Sequence, residues 1–262
     1  FSCTFLAFPL IGFVSTPVTH PLLGKELYVG LLFLCALPGT VQSAIAFTSI
    51  ARGNIPAAVC SASASSIIGI VLTPLVFSLT MGVDQGSAGS LLEAILHISE
   101  ELLLPFVAGH LLRPLFGQFM EHHRKLLGAV DQSSILLIVY SAFSESVVNG
   151  LWHQVPGMSL VTLAVICCVL LALVLTLTTF LARRLGFSKE DEITIVFCGS
   201  KKSLASGVPM AQVMFGGIGS SIAIGPVLLP IMIFHQIQLM VCAVLAERYA
   251  HRPDSSRLSR ET

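Results

Sequence analysis

Apolar residues in this chain do not alternate with polar ones at the period of a half-buried strand or a surface helix; they run on. Eight apolar stretches follow one another, at about 1–17, 27–50, 55–81, 94–117, 133–151, 158–182, 192–214 and 219–247. A helix of about 20 apolar residues crosses the hydrocarbon core of a bilayer, and each stretch is read as one span. Two carry polar interruptions. The stretch 94–117 opens beside Glu93 and holds His97, Glu100 and Glu101, while 192–214 carries Lys201 and Lys202. The pattern predicts an all-α polytopic membrane protein, one unit over 1–262, ending in a charged tail at 248–262.

Composition excludes a soluble domain. The chain of 262 residues is 54% hydrophobic and 11% charged, with a mean hydropathy of +0.88, whereas a soluble domain carries about 25% charged residues. The net charge of zero matters less than where the charges lie. If all eight stretches span, one side receives Arg52, Arg113, Arg124, Lys125, Arg183, Arg184, Lys189, Arg248, Arg252, Arg257 and Arg260, and the other only Lys25. Basic loops stay in the cytoplasm. The C-terminus and the loop around Arg124 are therefore expected inside, and the loop around Trp152 outside, in the inner (cytoplasmic) membrane. The partners implied are the lipid bilayer and a small solute; nothing points to nucleic acid. The seven cysteines lie in apolar stretches without metal spacing. His122 and His123, beside Arg124 and Lys125, read as part of a basic loop. No cofactor or metal is expected, and no P-loop pattern supports nucleotide-driven transport. The chain opens at Phe1 without a basic leader, and residue 1 is read as lying inside or just before a span.

Two spans carry helix breakers at mid-depth. Pro38, Gly39 and Thr40 interrupt the second, with Gln42 and Ser43 following; Gly199, Ser200, Lys201, Lys202 and Ser203 interrupt the seventh. Irregular backbone at membrane depth is tolerated only where it is buried in protein or lines a wet cavity. Both sites read Gly-[Thr/Ser]-x-x-Ser. Five spans separate them, so they run in opposite directions. Paired breaks in two inverted halves point to a transporter's binding site. Lys201 and Lys202 lie about 15 Å into their span at 1.5 Å per residue, where an unpaired ammonium costs at least about 3 kcal/mol. An anionic solute, a carboxylate or loss of the proton must neutralise such a charge. Glu145 is the candidate carboxylate, with Asn149 beside it on the fifth stretch, and His235 with Gln236 in the last span is expected to face a cavity. A Ser–Lys hydrolase would need an oriented pair and an oxyanion hole, and no motif selects for them.

Leu37-Pro38-Gly39-Thr40, Ala51-Arg52-Gly53-Asn54 and Leu72-Thr73-Pro74, followed by Cys198-Gly199, Ser203-Leu204-Ala205 and Phe234-His235-Gln236, resemble the bile acid:sodium symporter family. The closest likeness is to its bacterial branch related to solute carrier family 10 member 7. The resemblance covers the whole chain. It implies a ten-helix fold of two inverted five-helix repeats with two crossing broken helices, of which the eight stretches would be spans three to ten in an N-terminally truncated copy. It implies a secondary active transporter of an organic anion, with sodium or a proton as coupling ion. The residues depart from the family where sodium binds. Phe197 and Lys201 stand where sodium-coupled members have a glutamate and a glutamine, and Ala58 and Ala62 replace hydroxyl ligands. A lysine ammonium can take a sodium ion's place electrostatically. The alternative is a non-transporting membrane regulator of calcium handling with the same fold.

Overall fold

A computed structural model of the protein describes residues 2–81, 96, 100, 104–148, 156–215 and 224–252. Among these residues the regular structure is helical throughout. The chain starts with a π-helical turn, Cys3–Ala7, that runs into α1 (Phe8–Val14); α2 (Thr16–Leu23) leaves α1 at 68°. The first apolar stretch is thus bent rather than ended near residue 17. Pro17 has no N–H to continue the ladder, and the Ser15 hydroxyl donates to the Gly12 carbonyl at 2.8 Å.

Next come α3 (Lys25–Ala36) and α4 (Gln42–Ile50), separated by non-helical 37–41, and then α5 (Ile55–Met81). α6 (Leu104–His122) and α7 (Arg124–Val148) meet at His123. The segment around Arg124 and Lys125, expected as a loop, is helical. No proline falls between Pro114 and Pro156, and Met, Glu, Arg, Lys and Leu in between are good helix formers. α8 (Gly157–Arg184), α9 (Lys189–Gly199), α10 (Leu204–Phe215) and α11 (Ile224–Ala250) complete the chain, with 200–203 non-helical between α9 and α10.

Among the described residues α5, α8 and α11 are long and apolar enough to cross a membrane, and α1 with α2 adds a fourth crossing if the bent pair is one span. Their outer faces fit that reading. Val161, Val165, Val169 and Leu173, one row along α8, are all exposed, an apolar stripe suited to lipid. α3 lies at the centre, buried without interruption from Leu27 to Ala36. It packs along α11, and Phe33 meets Phe77 of α5 and Phe215 of α10 edge to face at 5.5 and 5.3 Å.

Candidate functional site: two apposed helix breaks

α3 ends because Pro38 offers no N–H to its ladder, which strands the last carbonyls of the helix. The Leu37 N–H meets those of Phe33 and Leu34, and the carbonyls from Cys35 to Pro38 find partners from other elements. The Ala36 carbonyl accepts from Thr73 Oγ1 at 3.1 Å, and the Pro38 carbonyl from the Ser203 N–H at 3.0 Å. Lys202 Nζ donates to Cys35 and Leu37 at 2.8 and 2.7 Å. The Gly39 N–H donates to Ser65 Oγ at 3.2 Å. A Cβ at Gly39 would lie 3.3 Å from the Cys198 carbonyl oxygen, so glycine lets the two breaks touch. Thr40 and Ser43 share a hydroxyl–hydroxyl bond of 2.7 Å.

The second break follows Gly199. The Ser200 hydroxyl donates to the Val196 carbonyl at 2.6 Å, not to a lysine nitrogen. Both lysines are enclosed, Lys201 at 0% and Lys202 at 1% exposure, but their surroundings differ. Lys201 Nζ donates to the Ser43 carbonyl at 2.9 Å and lies 3.7 Å from the centre of the Phe47 ring and 5.4 Å from that of Phe197. Lys202 Nζ reaches a third carbonyl, Thr4, at 2.8 Å, and lies 4.3 Å from the Phe8 ring. The backbone of Lys202 is held on both sides by Gln238, whose Oε1 accepts its N–H and whose Nε2 donates to its carbonyl, both at 2.9 Å. Those two bonds fix the amide's orientation. Gln238 Nε2 also lies 2.9 Å from His235 Nδ1, which must accept, leaving the ring proton on Nε2.

The breaks therefore bring together Gly39, Thr40, Ser43, Gly199, Ser200, Lys201, Lys202 and Ser203. Gln42 and Gln236 are exposed; the glutamine at the break is Gln238, two positions on. Glu145 lies on α7, but its side chain, like all of Asn149, is outside the described residues. Among the described residues neither lysine is ion-paired; carbonyls and ring faces meet their charge. Phe8 and Ser65 were not singled out by sequence reasoning, being ordinary residues of apolar helices, and Thr73 entered it only as part of the Leu72-Thr73-Pro74 motif.

At one end of the site the connection Ala51–Asn54 is pinned to the start of α9. The Asn54 amide donates to Asp191 Oδ1 at 2.8 Å, its backbone N–H to Thr194 Oγ1 at 3.0 Å, and Thr194 Oγ1 returns a bond to the Asn54 carbonyl at 3.1 Å. Hydrogen bonds from Ser188 and Asn54 hold the Asp191 carboxyl below its ordinary range. Nearby, Glu192 is buried against Lys189 at 2.6 Å and Arg183 at 3.3 Å.

The profile of the SBF-like CPA transporter family matches residues 1–251. The chain belongs to this family. It is accordingly a multi-pass membrane protein of a transporter family, and the likeness read from Leu37–Pro74 and Cys198–Gln236 is to its relatives. This SBF-like protein is 61% identical over 256 residues to an uncharacterized protein of Pseudomonas aeruginosa, covering 98% of this chain and 75% of the relative. YfeH of Escherichia coli (strain K12), whose name carries a proposed symporter role, is 54% identical over 259 residues, covering 99% of this chain and 76% of YfeH. Sodium/bile acid cotransporter 7 of Xenopus tropicalis is 28% identical over 230 residues, 85% of this chain and 64% of the cotransporter.

Proposed function

We propose that the protein is a secondary active transporter of an organic anion, with the solute's charge met by Lys201 where the two breaks meet. The observation that carries this is the ammonium's unfinished coordination. An ammonium has three donors; among the described residues the Ser43 carbonyl takes one, and ring faces stabilise the cation without neutralising it. A carboxylate or sulfonate drawn in between α4 and α9 would complete it. The family membership and the names of YfeH and of the Xenopus cotransporter support transport coupled to an ion. The span count, which would run the two breaks in opposite directions, supports a ten-helix inverted repeat, with α3/α4 and α9/α10 as its crossing helices. The basic loops support insertion in the cytoplasmic membrane with the C-terminus inside. Of the remaining candidates, Glu145 and Asn149 stay proposed solute or ion ligands from the fifth apolar stretch, and His235 supports the break through Gln238.

Uptake into proteoliposomes tests the reading. A labelled bile acid and a panel of carboxylate and sulfonate anions should show saturable uptake for at least one solute, abolished by Lys201→Gln at equal protein abundance. Uptake of none, by protein that is folded and correctly inserted, would favour the non-transporting regulator.

A further inference from the structure

Lys202 has the finished coordination that Lys201 lacks among the described residues. Its three N–H donors are matched by three backbone carbonyls, Thr4, Cys35 and Leu37, at 2.8, 2.8 and 2.7 Å, and the Phe8 ring closes another side at 4.3 Å. The chain leaves these carbonyls open by construction. Cys35 and Leu37 lie at the C-terminal end of α3, where carbonyls have no intrahelical partner and the helix dipole gathers negative charge. Thr4 lies in the π turn, in which the Phe8 N–H bonds the Cys3 carbonyl. In that register the Thr4 carbonyl would be met by the N–H of residue 9, which is Pro9 and has none. Gln238 clamps the backbone of residue 202, so the ammonium has a fixed root.

Converging carbonyls with no carboxylate are how proteins replace the hydration shell of a monovalent cation, and an aromatic face adds to that preference. The distances match charge-assisted N–H···O bonds of about 2.7–2.9 Å. They exceed the roughly 2.3–2.6 Å at which oxygens hold calcium, so the point of convergence suits ammonium or potassium better than a smaller ion. We propose that the carbonyls of Thr4, Cys35 and Leu37, with the Phe8 ring, form a monovalent-cation site whose resident cation is the covalently attached ammonium of Lys202, and that the site takes up a free cation of ammonium or potassium size when that side chain is cut back. In the native chain the tethered cation cannot dissociate. The π turn, the end of α3 and the second break stay joined whatever salts surround the protein.

Thermal unfolding of the full chain in detergent tests this without any transport measurement, so the result is independent of whether the protein carries an anion. Melting temperatures are compared in choline, lithium, sodium, potassium and ammonium chlorides at equal ionic strength. Lys202→Ala should melt below wild type in choline and be raised saturably by potassium and ammonium, as mass action requires of a ligand held only by the folded state, but not by lithium. Wild type and Lys202→Met, whose side chain fills the space without charge, should be indifferent to the exchange. The proposal is overturned if Lys202→Ala melts at the same temperature in all five salts, or if choline and lithium restore it as well as potassium does. If Lys202→Ala can be purified only with potassium or ammonium present throughout, the proposal stands. If no salt recovers it while Lys202→Met folds, the carbonyls do not accept a free cation and the proposal fails.

Discussion

Lys201 and Lys202 are neighbours in sequence with different surroundings, and only part of that difference is legible in the chain. Their depth is: two ammonium groups about ten residues into an apolar span demand partners. The identity of the partners is not, because three of the four carbonyls involved are free only on account of where helices end and where Pro9 falls. The same limit explains Gln236. Residues 235 and 236 are adjacent and point about 100° apart, whereas 235 and 238 share a helix face. The buried row of α11, Phe234, Gln238, Cys242 and Ala246, has a spacing of four, and following it would have selected Gln238. Two outcomes follow at this scale. Lys201→Gln should leave the protein inserted and abolish uptake, and Lys201→Arg should restore it only partly, because a guanidinium is broader than an ammonium and forks its donors. Normal uptake by both variants would make Lys201 a packing residue. Gln238→Leu should strip partners from the N–H and the carbonyl of Lys202, at a cost of about 1–3 kcal/mol for each buried group, read as a lowered melting temperature that Gln236→Leu does not reproduce.

Whole elements were easier to read where a breaker and an apolar run coincide. Pro38-Gly39 and Gly199-Ser200 each interrupt a helix in the structure, at 37–41 and at 200–203. The bend at Ser15 and the helical start of α7 at Arg124 were not foreseen, since hydropathy records apolar character and is blind to a 68° turn or to a charged segment that is helical. Nor are the two Gly-[Thr/Ser]-x-x-Ser copies equivalent. Thr40 and Ser43 bond one another, whereas Ser200 turns back on its own helix and Ser203 uses its backbone to reach Pro38. The approach of α3 to α11 gives a direct test. A Cβ at Gly30 would sit 2.6 Å from the Val227 carbonyl oxygen and 2.8 Å from its Cα. Since backbone cannot rotate aside as a side chain can, Gly30→Ala should cost about 1–3 kcal/mol or more by forcing the helices apart, measured by thermal unfolding. The tie between α5 and α9 gives a pH-dependent one. The folded Asp191 carboxyl titrates below its ordinary 3.8, so its stabilising bonds are intact above that value and are lost as pH falls through the folded one. Asn54 also caps α5 by accepting the Ala57 N–H at 3.1 Å, a contribution of about 0.5–2 kcal/mol that pH does not touch. The melting difference between wild type and Asn54→Ala should therefore narrow from about pH 5 to about pH 3 without vanishing. A difference constant across that range would show that the part-buried Asn54–Asp191 bond carries no linkage.

For the molecule as a whole, membrane class and family were both legible, because hydropathy and short motifs survive without knowledge of packing; the residues at the positions where the resemblance places sodium become interpretable only in three dimensions. Phe197 is fully buried, its ring 6.0 Å from that of Phe47 and 6.1 Å from that of Tyr249. Ala58 and Ala62 are buried on α5 and bring no side-chain oxygen. Lys201 places its ammonium 3.7 Å from the centre of the Phe47 ring and 5.4 Å from that of Phe197. A sodium ion placed there would lose its hydration shell, meet a like charge within a few ångströms and gain no carboxylate, and repulsion between unit charges at such distances amounts to about 4 kcal/mol even at an effective dielectric constant of 20. Replacing potassium by sodium should therefore change solute affinity less than about threefold, roughly 0.7 kcal/mol, in uptake or ligand-induced thermal shift. Lys201→Gln sharpens the comparison, since it removes the charge and supplies an amide oxygen. A sodium requirement absent from wild type and present in that variant would identify the lysine as the ion's replacement. A steep, saturable sodium requirement in the wild-type protein would instead mean that oxygens elsewhere in the chain hold the ion, and that the residues at these inherited positions do not decide coupling.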